Sequence, residues 1–191
     1  MRGYFGIGVE GISKAYNVGN LFRTAHAFDA SFVYTVNAQY SKYAGNRTDT
    51  SKSLGHTPFY SYPSLDEMLL PKGCQLVGVE LTEDAIELPS FRHPNQAAYI
   101  LGPERSSLSQ TTLDRCDHVI KIPMKFCINV GTAGALVMYD RVQSMGKFAE
   151  RPVRAGGPTQ ELKEHTFGSP RFRLGSPFLD EPPVVDPKWD E

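Results

Sequence analysis

Apolar positions along this chain change period several times, and each change marks an element. Tyr4–Val9 is a short apolar run that predicts a first strand. From Asn17 to Phe28 the apolar residues Leu21, Phe22, Ala25 and Phe28 recur at helical spacing, with Asn17 or Asn20 placed to cap the start. Phe32–Val36, β-branched and aromatic, predicts a second strand after the small-residue turn Asp29-Ala-Ser31. Gln39–Ser53 is polar, with Lys42, Arg47 and Lys52, and reads as a long exposed loop of the kind that is usually functional or mobile. Ser64–Leu70 predicts a short helix stopped by Pro71. Gln75–Leu81, Ala97–Leu101 and His118–Ile122 are nearly continuous apolar runs, as expected of parallel strands buried on both faces. Gly131–Met145 returns to helical period, with Ala135, Tyr139 and Val142 on one face and Gly146 as C-cap. Strands alternating with helices predict an α/β layered domain, a mostly parallel sheet flanked by helices.

After Gly146 the pattern stops. Seven of the 14 prolines lie there, with Gly156-Gly157 and no periodicity. Lys147–Gly175 carries six Lys/Arg against three Glu, and Ser176–Glu191 is acidic. Residues 1–146 therefore read as the folded domain and 147–191 as an extended or partly disordered extension.

Bulk numbers narrow the class further. A chain of 191 residues suits one domain with a proper core. Its 40% apolar and 21% charged residues are those of an ordinary globular protein. Cys74, Cys116 and Cys127 form no CxxC pair and no disulfide framework, and the five histidines show no metal-ligand spacing, so no metal is expected. No apolar run approaches a membrane span, and the start lacks a signal-peptide core; a cytoplasmic location follows, in which the sequon Asn46-Arg-Thr48 is idle. A net charge of −1 argues against gripping nucleic acid by bulk charge, while leaving room for a local basic surface.

Gly6-Ile-Gly-Val-Glu-Gly11 fits the dinucleotide fingerprint GxGxxG, which would make a nicotinamide-dependent oxidoreductase. The glycines fall within the predicted strand, however, and no amphipathic helix opens at Gly11. Close backbone packing is the better reading of them.

Three other segments carry chemistry: Asn17-Val-Gly-Asn-Leu-Phe-Arg23, Ile100-Leu-Gly-Pro-Glu104, and Ile122-Pro-Met124 followed by Cys127-Ile-Asn-Val-Gly131. The last two lie just after predicted strands, where α/β ligand sites form, and Gly102 and Gly131 would let backbone approach a ligand. In their order and spacing the three segments resemble the motifs of the SpoU (TrmH-like) branch of the SPOUT methyltransferases, over roughly residues 4–146. The resemblance implies a C-terminal trefoil knot, S-adenosyl-L-methionine as cofactor, and methyl transfer to a ribose 2′-hydroxyl of RNA. It implies that Leu101, Gly102, Ile122, Met124 and Ile128 cradle the adenine and ribose. It places Asn17, Arg23, Glu104 and Asn129 in the catalytic constellation, and it implies a homodimer in which Arg23 reaches the partner's cofactor.

Physical chemistry refines those roles. Six residues along a helix turn by about 600°, so Arg23 stands about 120° from Asn17 and nearly two turns on. Its guanidinium can grip a phosphate bidentately and is too weak an acid to serve as a base, which makes it an electrostatic organiser. Two departures touch substrate choice and rate: Cys127 stands where relatives commonly have Ser, and Ser107 where a glycine is common. They motivate a rival reading, an RNA-binding protein of the same fold without turnover. An isolated Cys127 is otherwise expected to be a buried thiol. With the first motif starting by residue 17, a small substrate is expected, tRNA rather than rRNA. Arg151, Arg154, Arg171 and Arg173 would touch RNA phosphates or the partner subunit, unless the extension is a solvated tail without a role.

Overall fold

The computed structural model describes residues 3–39, 57–103 and 106–157. Seven strands form one sheet: β1 (Tyr4–Glu10), β2 (Phe32–Val36), β3 (Phe59–Tyr62), β4 (Gln75–Val79), β5 (Ile86–Glu87), β6 (Gln96–Leu101) and β7 (His118–Lys121). Their order is β3-β2-β1-β6-β4-β7-β5, and every neighbouring pair is parallel. Among the described residues three α-helices accompany it: α1 (Ala15–Ala27), α2 (Gln110–Arg115) and α3 (Val130–Met145), with a 3₁₀ turn at Leu88–Ser90. A mostly parallel α/β sheet flanked by helices was expected, and it is what the chain forms.

Alternation along the strands builds a core on each side of the sheet. Phe5, Ile7 and Val9 of β1 and Ala97, Tyr99 and Leu101 of β6 share one core with Leu21 and Phe22 of α1 and Val137 and Met138 of α3. Ala98 and Ile100 point the other way, into a second core with Phe32, Tyr34, Leu76, Met68 and Leu108. The glycines of β1 belong to this second face. Gly6 pairs with Phe32 and Gly8 with Tyr34, and both rings lie flat over the strand: a Cβ on Gly6 would sit 2.2 Å from Phe32, and one on Gly8 2.5 Å from Tyr34. Gly6 and Gly8 of the GxGxxG pattern thus make room for aromatic side chains rather than for another backbone, and Gly11 follows the strand with φ +61°.

Several expectations need correction. Helix α1 starts at Ala15 with Lys14 as an N-cap that makes no side-chain hydrogen bond, so Asn17 lies inside the first turn rather than at the N-cap position. Ser64–Leu70 forms bends and a turn, and Arg115 donates to the Leu65 and Met68 carbonyls there. Strands β3 and β5 and helix α2 went unpredicted, all being short. On α3 the core face comprises Val130, Ala133, Gly134, Val137, Met138 and Arg141, whereas Tyr139 is 55% exposed and Ala135 and Val142 are only half-buried. The period was right and the phase wrong, because the buried Arg141 reads as polar. Gly146 does follow the last helical residue as C-cap.

Arg141 anchors α3 to the N-terminal edge of the sheet. Its guanidinium, over the Phe5 ring, donates to the carbonyls of Pro94 and Asn95 and to the Tyr99 hydroxyl. The Tyr99 hydroxyl lies 2.6 Å from His93 Nδ1, and His93 Nε2 2.9 Å from Asp140. Burial pushes the Tyr99 phenol up to about 12, against the pull of Arg141. Burial likewise depresses His93, against the pull of Asp140.

The chain divides into two compact units, Met1–Phe148 and Ala149–Glu191. Of the second, the described residues 149–157 are exposed and without regular structure, Arg151 and Arg154 among them. Arg171, Arg173 and most of the predicted 39–53 loop lie outside the described residues.

Candidate functional site

Strands β6, β4 and β7 are neighbours, so the loops leaving their C-terminal ends converge. Between them lies a cleft of about 460 Å³. Its lining combines apolar side chains with loop backbone, and includes Glu80, Lys121 and Cys127. All five residues singled out for cofactor contact, Leu101, Gly102, Ile122, Met124 and Ile128, line this one cleft. Two loops separated by some twenty residues of chain supply them. Leu101 and Ile122 are buried, and Ile128 is 39% exposed at the mouth.

The polar candidates divide. Asn129 is the N-cap of α3, its Oδ1 accepting from Gly131 N at 2.8 Å. Its Nδ2 donates to Asn17 Oδ1 at 3.0 Å, and Asn17 is only 6% exposed. The first and third motifs are therefore tied together beside the cleft. Arg23 lies further along α1, exposed, and is not among the described residues lining the cleft. Glu104 lies outside the described residues.

Gly131 has a different role from the one expected. A Cβ there would fall 2.7 Å from Asn20 Nδ2, so its smallness serves the contact of α1 with α3. At Gly102 a Cβ would meet Leu108 N at 3.0 Å and Glu80 Oε2 at 3.3 Å, so its bareness leaves room for both groups against the end of β6. Cys127 is exposed and lines the cleft, overturning the expectation of a buried thiol. The short link from Met124 to Asn129 leaves it no depth in which to bury. Phe126 beside it is 80% exposed.

Carboxylates that sequence reasoning missed hold the cleft loops. Glu10, ending β1, accepts from Ser109 N, Ser109 Oγ and Thr112 Oγ1, at 2.9, 2.7 and 2.8 Å. Ser109 is the N-cap of α2, accepting from Thr112 N. Glu80, just past β4, accepts from Leu108 N at 2.7 Å and Leu81 N at 2.9 Å. Lys121 Nζ donates to the carbonyls of Thr82 and Glu83. The one legible signal was the Ser109-Gln-Thr-Thr112 cap; its acidic partner is 99 residues away in sequence.

Known proteins agree with this geometry. The model of the SpoU rRNA Methylase family matches residues 5–139. The 23S rRNA (guanosine-2′-O-)-methyltransferase RlmB of Neisseria meningitidis is 26% identical over 140 residues, covering 68% of this chain and 54% of that one. The tRNA (guanosine(18)-2′-O)-methyltransferase of Escherichia coli K12 is 26% identical over 141 residues, covering 69% and 60%. The chain thus spans just over half the length of these relatives. Among solved structures, the SpoU methyltransferase AviRb of Streptomyces viridochromogenes, in complex with AdoMet, superposes with a TM-score of 0.66 at 22% identity, covering 73% of this chain and 57% of that one. The TrmH/SpoU tRNA modifying enzyme of A. aeolicus gives 0.65 at 19%, covering 73% and 74%. With its family model matched across most of the folded unit and its fold shared with these enzymes, the chain belongs to the SpoU rRNA Methylase family.

Proposed function

We propose that this protein transfers a methyl group from S-adenosyl-L-methionine to a ribose 2′-hydroxyl of tRNA or rRNA. The observation that carries this reading is the convergence of Leu101, Gly102, Ile122, Met124 and Ile128 on one cleft at the C-terminal ends of β4, β6 and β7. Its volume falls in the range of small-molecule sites, and its apolar walls with loop backbone at the rim suit a nucleoside. Bound there, the cofactor supplies an electrophilic methyl on a sulfonium centre. The names of the relatives, which act on tRNA and rRNA at the same hydroxyl, support the reaction class.

The residues do the rest by placement. Asn129 and Asn17 fix the mouth of the cleft against the first turn of α3, whose N-terminal dipole favours negative charge developing on the attacking oxygen. Arg23, on the exposed side of α1, grips a phosphate next to the target and holds the ribose in line. Glu104 keeps the place that the second motif implies.

One protomer leaves Arg23 away from its own cleft, which favours a homodimer in which α1 of one subunit faces the site of the other. Tyr16 on α1 and Leu136 and Tyr139 on α3 are 72%, 41% and 55% exposed, apolar surface suited to such an interface. tRNA is the preferred substrate and the cytoplasm the expected location; among the described residues no helix is long and apolar enough to cross a membrane.

The test is methyl transfer from labelled S-adenosyl-L-methionine to bulk tRNA and, separately, bulk rRNA, both from cells lacking the protein, followed by nucleoside mass analysis. A 2′-O-methyl nucleoside in either pool is expected. Label on a base overturns the ribose assignment, and cofactor binding without label in either pool selects a non-catalytic RNA binder. Light scattering at micromolar concentration tests the dimer; a strict monomer with full activity refutes it.

A further inference from the structure

Glu10 and Glu80 stand at the C-terminal ends of strands on either side of β6 and hold the same loop, yet they are not equivalent. Glu10 is committed to α2: three donors from Ser109 and Thr112 take up its two oxygens, and it does not line the cleft. Glu80 accepts one backbone N–H on each oxygen and lines the cleft. A carboxylate has about four acceptor positions, so Glu80 keeps capacity on the cleft side. Gly102 is bare where Glu80 Oε2 approaches it, 3.3 Å from where a Cβ would sit, and the carboxylate thereby reaches over the β6 end. The other charged side chain among the described cleft residues, Lys121, is turned to the carbonyls of Thr82 and Glu83. A half-buried anion in an apolar cleft is expensive unless a donor answers it.

We infer that Glu80 contacts the cofactor, its carboxylate accepting a hydrogen bond from a donor on the nucleoside half, a ribose hydroxyl or the adenine amine, while its backbone contacts fix the 102–108 loop. This rests on the proposal that the cleft takes S-adenosyl-L-methionine, and it adds a specificity element supplied by a charged side chain to a cleft lined largely by apolar residues and loop backbone. Hydrogen bonds to a charged acceptor discriminate more strongly than packing does, because the analogue lacking the donor loses a charge-assisted bond and leaves the cleft-side acceptor position of the half-buried carboxylate unfilled.

The experiment is calorimetric binding of S-adenosylhomocysteine to the full chain, beside its inosine, 2′-deoxyadenosine and 3′-deoxyadenosine counterparts. Wild-type protein is expected to bind one of the three analogues about 10- to 100-fold more weakly than the parent compound. Which one is weakened tells amine from hydroxyl. Glu80→Ala erases that gap, and Glu80→Gln, which keeps a neutral acceptor and the shape, narrows it to about a few-fold. Glu10→Gln, a control for loop fixation alone, lowers the melting temperature and leaves the gap intact. If Glu80→Gln weakens all four ligands by one common factor and keeps the wild-type gap, Glu80 is only a loop clamp and the inference is wrong. It is equally wrong if wild-type protein binds all four alike. No binding of S-adenosylhomocysteine by wild-type protein would instead overturn the cofactor reading beneath it.

Discussion

Replacing Gly8 by Ala, a single methyl group, should destabilise the protein measurably even though alanine is the better strand residue. The Cβ would lie 2.5 to 2.6 Å from three atoms of the Tyr34 ring, including Cγ, so no rotation of the ring tip relieves it. Tyr34 is fully buried, and its hydroxyl donates to the Tyr99 carbonyl at 2.9 Å across two strands. Moving the ring by an ångström breaks that bond in a place water does not reach. Overpacking costs about 2 kcal/mol and the stranded hydroxyl about 1 kcal/mol more. The relief from replacing glycine returns about 0.5–1 kcal/mol. The net is about 2 kcal/mol, roughly a 30-fold drop in the folding equilibrium, or about 4–8 °C in melting temperature for a chain of this size.

Urea unfolding followed by circular dichroism reads the difference, and a double-mutant cycle assigns its cause. In a Tyr34→Leu background the ring and hydroxyl are gone, and Gly8→Ala should become neutral or slightly stabilising. If Gly8→Ala is as stable as wild type with Tyr34 in place, the glycine is not there for the ring. If the cost persists without Tyr34, the cause lies in the backbone.

Other expectations follow from the site and from the polar cluster under α3. Asn129→Ala removes an N-cap and the hydrogen bond to Asn17 Oδ1; it should cost about 1–3 kcal/mol in thermal unfolding and depress turnover by more than the loss of folded protein explains. Arg23→Lys should retain RNA binding in part and largely abolish methyl transfer, measured as kcat against gel-shift affinity; near-normal kcat would refute the organiser role. Tyr99→Phe should destabilise by about 1–3 kcal/mol by leaving His93 Nδ1 and an Arg141 donor unanswered. His93 is depressed by burial, so near pH 6.5 the unfolded chain takes up a proton that the folded chain refuses. Stability should accordingly be full above about pH 6.5 and fall as pH drops toward the lower folded value, and His93→Gln should flatten that slope.

How much of this was legible depended on length and on locality. The long runs of β1, β2, β4 and β6 and the period of α3 showed themselves, because a parallel strand buried on two faces has little choice of residue. Strand β3 did not: Phe59-Tyr-Ser-Tyr62 is an edge, half exposed, and short. The phase of α3 failed because Arg141, polar in any sequence pattern, is buried by four hydrogen bonds and the Phe5 ring, all from residues about forty or more positions away. The five cleft-lining residues were named from the second and third motifs, whereas Glu10 and Glu80 stood outside all three. Their work is to accept backbone and hydroxyl hydrogens from a loop far along the chain, and no local pattern announces an acceptor.

The two ends of the sheet divide the labour, and the division explains where departures from family pattern are tolerable. At the N-terminal edge His93, Tyr99, Asp140 and Arg141 form a saturated, buried network that locks α3 in place. At the C-terminal edge the loops are held by caps and single carboxylates, with Cys127, Phe126 and Ile128 left exposed. A change at the first edge strands a buried polar group and propagates into α3, hence into the Asn129 cap at its other end. A change such as Cys127 at the second edge alters only what the cleft presents, because no other element leans on it. Cys127→Ser should therefore leave the melting temperature within about 2 °C of wild type, since exposed substitutions stay within about 0.5 kcal/mol, while shifting kcat or the KM for RNA. A drop of several degrees would mean that the loop from Met124 to Asn129 carries the fold as well as the site.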